Sequence, residues 1–234
     1  MLTDFKAKFI LNFIEDNRWL YITEGLGTTF IVTIFAILLG TALGFLVAVI
    51  RSTADKNDKN PVVIHILDGI CKVYLTVIRG TPAMIQLLIM YYIVFTSPDI
   101  SKRFVAILTF GINSGAYVAE IVRSGIMSID NGQFEAGRSL GFNYVQTMMY
   151  IIAPQAFKNI LPALANEFIT LLKETSICGY IALTDITHGA NVIRSQTYEP
   201  MMPLLAAALI YLAVVSLLSA GVSKLERRLR TDAR

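Results

Sequence analysis

"GLGTTFIVTIFAILLGTALGFLVAVI" occupies residues 25–50, 26 positions without one ionisable side chain. An α-helix rises ~1.5 Å per residue, so roughly 20 apolar residues cross the hydrocarbon core of a bilayer. A second uncharged run, residues 200–223, is 24 long. Both belong to a chain of 234 residues that is 55% hydrophobic and 16% charged, against the ~25% charge of an ordinary soluble domain. Backbone groups inside a bilayer must bond within their own segment, so runs of this kind form helices. The chain is therefore expected to be an all-α integral membrane protein.

Five spans fit the pattern: near 24–50, 61–96, 101–126, 155–183 and 200–223. The second is composite. In "PVVIHILDGICKVYLTVIRGTP" (61–82) the polar positions His65, Asp68, Lys72, Thr76 and Arg79 recur every three or four residues. That spacing puts one polar stripe on a greasy helix, and residues 65, 68, 72 and 76 read as interhelical packing. Gly80 and Pro82 bend the helix, and 82–96 completes the crossing. A six-span reading, with 61–79 crossing alone, would reverse the parity of everything that follows. Ten of the 20 Lys and Arg lie on one side (Arg51, Lys56, Lys59, Arg123, Arg138, Lys224, Arg227, Arg228, Arg230, Arg234). Six lie on the other: Lys6, Lys8, Arg18, Lys102, Arg103 and Arg194. The richer side is expected to be cytoplasmic, which puts the N-terminus outside and the C-terminus inside.

Residues 1–20 mix charges with Phe5, Phe9 and Phe13 at helical spacing. They read as an interfacial segment with Trp19 and Tyr21 at headgroup depth, or as a solvated leader, rather than as a cleaved signal. Residues 21–228 form a single transmembrane domain and 229–234 a cytoplasmic tail. The net charge of +3 is spread along the chain, so nothing points to nucleic acid. Two cysteines and two histidines, far apart in sequence, make no metal signature. No G-x-x-x-x-G-K-[ST] occurs, so the chain has no P-loop to cradle ATP phosphates.

The segment "EAGRSLGFNYVQTMMYIIAP" (135–154) is too charged and glycine-punctuated to span. Asp130 with Gln133 predicts a capping box for a short helix of about 131–140, and Gly141 stops it. Asn143 with Gln146 repeats the signal, and Pro154 is expected to end the second helix. Two readings follow: a compact knob offered to a soluble partner, or an amphipathic hairpin on the membrane surface.

The same segment resembles the EAA motif of ABC-importer permeases. Glu135, Ala136, Gly141, Ile151 and Pro154 fall at the family's spacing, while Gly137 replaces an alanine and Ala153 a leucine. Gly137 is expected to loosen the short helix by ~1 kcal/mol relative to Ala. "RGTPAMIQLLIMYY" (79–92), "NSGAYVAEIVRSGIMSI" (113–129) and "ANEFITLLKETSI" (165–177) are similar to segments of the branch that takes up histidine, glutamine and arginine. The resemblance covers residues 20–228. It implies a type I importer permease fold in a bacterial-type cell membrane, with a coupling helix between spans three and four. Glu135, Ala136, Gly137, Arg138 and Gly141 would contact a cytoplasmic ABC ATPase. A second permease, identical or paralogous, would complete the pathway, and an extracytoplasmic amino-acid-binding protein would deliver substrate. ATP and magnesium belong to the ATPase, and no cofactor to this chain, which is then no enzyme.

Polar residues at membrane depth need a reason. On span four Asn166, Thr170 and Lys173 share a face by i, i+4, i+7 spacing, with Glu167 and Glu174 on the adjoining face and Ser176 beyond. An amino acid brings an ammonium that needs acceptors and a carboxylate that needs donors, and these side chains can supply them. On span three Asn113, Ser114 and Tyr117 extend the pathway. Glu120 and Arg123 read as an i,i+3 ion pair at a gate, and Arg79 as holding the break at Gly80 through a carboxylate of span three or four. The bland readings stay beside these: Lys173 as neutraliser of a neighbouring carboxylate, Asn166 as interhelical glue, and Gly111 and Gly115 as close-packing sites. An ion-coupled secondary transporter is the rival function. It predicts inverted repeats, which this sequence does not display.

Overall fold

The computed structural model describes residues 2–54 and 61–231, with side chains for 4–54 and 61–229. Lys56, Lys59, Arg230 and Arg234 of the charge count, and the end of the expected tail, lie outside the described side chains. The described chain is helical: α1 (Leu2–Phe9), α2 (Trp19–Ala54), α3 (Val62–Gly80), α4 (Ala83–Ile89), α5 (Lys102–Met127), α6 (Asn131–Ser139), α7 (Tyr144–Thr147), α8 (Ala153–Glu174), α9 (Ile186–Thr197) and α10 (Met201–Thr231). Among the described residues three helices are long and apolar enough to cross a membrane by themselves: Trp19–Ala54, Lys102–Met127 and Met201–Leu229.

α5 is the central post. Its buried positions run from Val105 to Gly125 and include Asn113 and Ser114. α2 lies along it because small residues meet at the crossing. A Cβ on Gly40 would come within 2.9 Å of Ser114 Cβ, and one on Gly44 within 2.5 Å of Val118 Cγ1. Gly111 and Gly115 reciprocate under Leu39 and Leu43. In a bilayer, where lipid is as apolar as leucine, such close backbone approach is a main source of helix association. The far side of α2 carries Ile34, Phe35, Leu38, Leu46 and Val49, all exposed, which suits lipid contact.

The partners of α5 establish the order of the other helices. Asp68 and Glu120 share Arg51. Tyr74 Oη donates to Ile112 O at 2.6 Å, and Gln86 accepts from Asn113 Nδ2 at 2.9 Å. Leu87 packs with Ala106 and Phe110, and the rings of Phe95 and Phe104 stack edge-on. α3 and α4 thus follow α5 in one antiparallel pass, broken at Thr81–Pro82. Gln86 Nε2 bonds back to Ile78 O and Thr81 O, replacing backbone bonds lost at the break. α8 runs antiparallel on another side, with Asn159 against Ser128, Ile160 against Gly125 and Glu167 against Ser114.

Several expectations are corrected. Pro154 does not end a helix. A π-helical turn, Met148–Ile152, joins α7 to α8 and closes with Ala153 N–H on Met148 O, and Pro154 follows where π-geometry gives way to α. The fourth segment leaves α-geometry at Glu174 and continues as a 3₁₀ stretch, Thr175–Ile181, ending at left-handed Ala182. A further helix, α9, follows. Asp185 caps it, accepting from Thr187 N and His188 N. Of the stripe 65, 68, 72 and 76, only Asp68 is buried within this subunit.

The N-terminal segment bends at Asp16 and Asn17, both left-handed, and lies against the end of α9. Fully buried Asn12 accepts from Thr197 Oγ1 at 2.8 Å, and Lys8 lies 3.7 Å from Glu199. Phe5, Phe9, Ile14 and Trp19 remain exposed.

Replacing Gly44 with leucine forces Val118 and the α5 backbone apart. Overpacking of this kind costs about 1–3 kcal/mol, so the purified variant should melt several degrees lower and express poorly. At Gly27 a Cβ would have nothing within 4 Å of it, so leucine there should leave the melting temperature at the wild-type value.

Candidate functional site

Two sites emerge, one at the α6 end and one halfway along α5 and α8. At the first, Asp130 caps α6 by accepting from Gly132 N at 2.6 Å. The expected capping box does not form: Asp130 caps Gly132 N–H rather than that of Gln133, and Gln133 Oε1 accepts from Gln155 Nε2 instead. Gly141 adopts φ +81°, and its N–H bonds Arg138 O while Phe142 N–H bonds Gly137 O. That pattern is a Schellman closure, which requires a left-handed residue and so favours glycine. Asn143 and Gln146 form the full capping box of α7. Glu135, Ala136 and Arg138 are exposed on the outer face of α6, beside an open cavity of about 500 Å³ shared with Phe134 and Tyr144.

Gly137 differs from its neighbours in being buried. A Cβ there would meet Thr147 Cγ2 at 2.6 Å and Oγ1 at 2.7 Å. The expected loosening is therefore only part of its effect. The missing Cβ lets α6 lie directly on α7 and the π-turn, which ties the exposed knob to the start of α8.

At the second site, Ser114 Oγ donates to Glu167 Oε1 at 2.8 Å, beside the Asn113–Gln86 bond. Asn113 and Ser114 are buried, Glu167 and Glu174 half-buried, and Asn166, Thr170 and Lys173 exposed on the open side. Asn166 Nδ2 donates to Pro162 O at 3.1 Å, one turn back in its own helix, so this bond is not the expected interhelical glue. Among the described residues no carboxylate lies within ion-pair distance of Lys173. Ser176 lines a cavity of about 260 Å³ with Tyr180, Thr187, His188 and Asn191.

Further toward α6, Glu120 gathers three guanidinium groups: Arg51 at 3.7 Å, Arg79 at 3.6 Å and Arg123 at 3.8 Å. Arg79 also lies over the ring of Tyr117, 5.9 Å from its centre. Arg51, Asp68 and Gln86 are the members that sequence reading missed. Each is contributed by another helix, and only the α2–α5, α3–α5 and α4–α5 packing brings them in. α9 had a legible signal: Asp185 ahead of Ile186, Ala190 and Ile193 at helical spacing.

A bundle of membrane helices around a central polar post, with a short capped helix pair projecting from one end, is the architecture of a membrane transport subunit. Residues 65–231 match the family model for binding-protein-dependent transport system inner membrane components, and the chain belongs to that family. An arginine transport system permease protein of Bacillus subtilis is 36% identical over 91% of this chain and 94% of its own length. An L-cystine transport system permease protein of the same organism is 32% identical over 92% of this chain and 89% of its own. Among solved structures, "an amino acid ABC transporter with histidines" superposes with a TM-score of 0.81 at 38% identity, over 89% of this chain and 94% of that one. The MetNI methionine ABC transporter, in inward-facing form, shares the fold at a TM-score of 0.68 and 20% identity, over 92% and 98% of the two chains. The chain is a permease subunit of an ABC importer with the type I fold, a translocation component and not an enzyme. The ion-coupled rival finds no support.

Gly137→Ala should push α6 off Thr147 and weaken its seating, and Gly137→Ala with Thr147→Ala should restore it. Hydrogen exchange across residues 131–147 reads the difference: faster in the single variant, close to wild type in the double.

Proposed function

We propose that this chain forms one half of the translocation pathway for a polar or charged amino acid, with the pathway running along α5 and α8. The observation that carries the reading is the Ser114–Glu167 contact. It sets a half-buried carboxylate, with Glu174 two turns on, beside the buried amide of Asn113. Carboxylates at that depth suit a substrate ammonium, and the amide and hydroxyl groups suit its remaining polar atoms. Relatives named for arginine and cystine transport, and a solved relative named as an amino acid transporter, support the substrate class.

In this reading α2, the α3–α4 pass, α5, α8 and α10 are five spans of one domain, roughly 21–228. The N-terminus is extracytoplasmic and α6 cytoplasmic. Residues 1–20 lie in the outer interface, which suits the exposed Phe5, Phe9, Ile14 and Trp19. Glu135, Ala136, Arg138 and Gly141 seat the knob in a partner ATPase that binds ATP and magnesium, while buried Gly137, expected to join them, instead holds α6 on α7. A second permease, identical or paralogous, faces the open side of α5 and α8, and an extracytoplasmic binding protein delivers the amino acid. ATP-driven approach of two knobs then tilts α8, because α7, the π-turn and α8 form one helical run. Inward and outward states alternate as the partner's nucleotide state favours one and then the other.

Uptake by the assembled transporter in proteoliposomes, tested against the twenty amino acids, checks the substrate class. No ATP-dependent uptake of any of them would overturn it. Glu174→Gln should cut uptake about 10–150-fold through loss of one charge-assisted contact while complex yield holds. If yield falls instead, Glu174 is a structural counter-ion. For topology, cysteines at Asp99 and Ser139 should react with an impermeant thiol reagent from opposite sides of the membrane.

A further inference from the structure

We infer that Lys72, Arg79 and Arg123 form a cationic station for the carboxylate of the passing amino acid, set between the acidic pair Glu167–Glu174 and the α6 end. It rests on the amino-acid reading above and adds a second site of opposite charge to it.

Glu120 is approached by Arg51, Arg79 and Arg123, and Asp68 by Arg51 at 3.5 Å and Lys72 at 2.7 Å. Among the described residues this contiguous cluster holds four cations and two carboxylates. An unneutralised surplus is costly on helices that cross a membrane, so the arrangement calls for an anion.

Lys72 already pairs with Asp68, but the arginine donors are not spent on Glu120. The three contacts to Glu120, at 3.6–3.8 Å, exceed the ~2.7–3.2 Å of an N–H···O hydrogen bond. Arg123 Nε is buried with no hydrogen-bond partner. The cluster is layered by exposure. The side chains of Asp68 and Glu120 are 10% and 27% exposed, while those of Lys72, Arg79 and Arg123 are 58%, 44% and 37% exposed. An anion arriving from the open side meets cations before carboxylates. The Tyr117 ring beneath Arg79 supports the guanidinium by cation–π contact and leaves its N–H edges for a bidentate partner.

Position links the station to the pathway. Asn113, Tyr117 and Glu120 share one face of α5 by i, i+4, i+7 spacing, with Arg123 a turn further on, so the cluster continues the face of Asn113, the neighbour of the Ser114–Glu167 contact. The lipid-suited stripe of α3, with Val63, Ile66, Ile70, Val73 and Val77 exposed, is a different face from Lys72 and Arg79. A zwitterion thus passes acceptors for its ammonium and then donors for its carboxylate.

The test uses the complex of this permease with its ATPase in nanodiscs, without the binding protein, which has its own selectivity. Radiolabelled L-arginine is displaced by L-arginine or by argininamide, which lacks the carboxylate. Wild type should favour the acid about tenfold or more. Arg79→Gln should bring the ratio near one, Lys72→Gln should lower it, and Arg79→Lys should keep part of it. A purely structural role would change yield or weaken acid and amide alike, and an unchanged ratio in Arg79→Gln and Lys72→Gln overturns the station. Should Arg79→Gln fail to assemble, Lys72→Gln decides, being the most exposed of the three. Nanodiscs of phosphatidylcholine, with and without phosphatidylglycerol, separate the other source of an oxyanion. If the variants abolish an effect of phosphatidylglycerol and leave the ratio intact, the ligand is a lipid phosphate and the inference is wrong. ATP-dependent arginine uptake with no acid-over-amide preference sinks the station alone. If the transporter takes up no amino acid, the functional reading fails and the station with it.

Discussion

The close approach of α2 to α5 is the contact on which the other features depend. Gly40 and Gly44 face Ser114, Gly115, Val118 and Ala119 with no room for a side chain. Burial of apolar surface does not drive helices together within lipid, so association relies on dispersion at short range and on polar contacts. Small residues on both helices supply the first. The same contact places Arg51, at the end of α2, within reach of Asp68 on α3 and Glu120 on α5. It leaves the opposite faces of α5 free for α8 and for the open side.

Polar groups make the remaining joints, and each answers a local deficit. Gln86 serves the carbonyls released where α3 breaks. Asp185 serves the N–H groups at the start of α9 and receives Tyr211 Oη at 3.4 Å. Asn12 and Thr197 join the N-terminal segment to the end of α9. Groups of this kind are expensive when unpaired at low dielectric, so they set positions more sharply than the leucine-rich surfaces around them.

Mechanically, the π-turn at Met148–Ile152 is the link that matters. It carries the chain from the knob into α8 without a hinge of irregular backbone. π-turns widen a helix locally and recur at functional sites. Here the turn lets Ile152 stay buried while Gly137 accepts Thr147 at short range. The chain between α6 and the Glu167 face is thus packed, hydrogen-bonded structure, the link that the proposed coupling needs.

Hydropathy, capping residues and charge placement determined the class, most helix positions, the knob and the polar faces of α5 and α8, because these are one-dimensional properties. A run of 26 uncharged residues must be helical in lipid, and Gly141 stops a helix by its own backbone freedom. Periodicity likewise put Asn166, Thr170 and Lys173 on one side of α8. What only the tertiary structure decided concerns partners. The polar stripe of α3 looked uniform in sequence, yet Asp68 alone is buried, because α2 supplies Arg51 at that level and no other. Gly137 looked like a weakened alanine, yet its neighbour across the fold is Thr147. Pro154 looked like a stop, yet the helical run passes through it just after the π-turn. For Asp68 and Gly137 the residue's own propensity is a local quantity, and its role is set by an atom that reaches it from another helix.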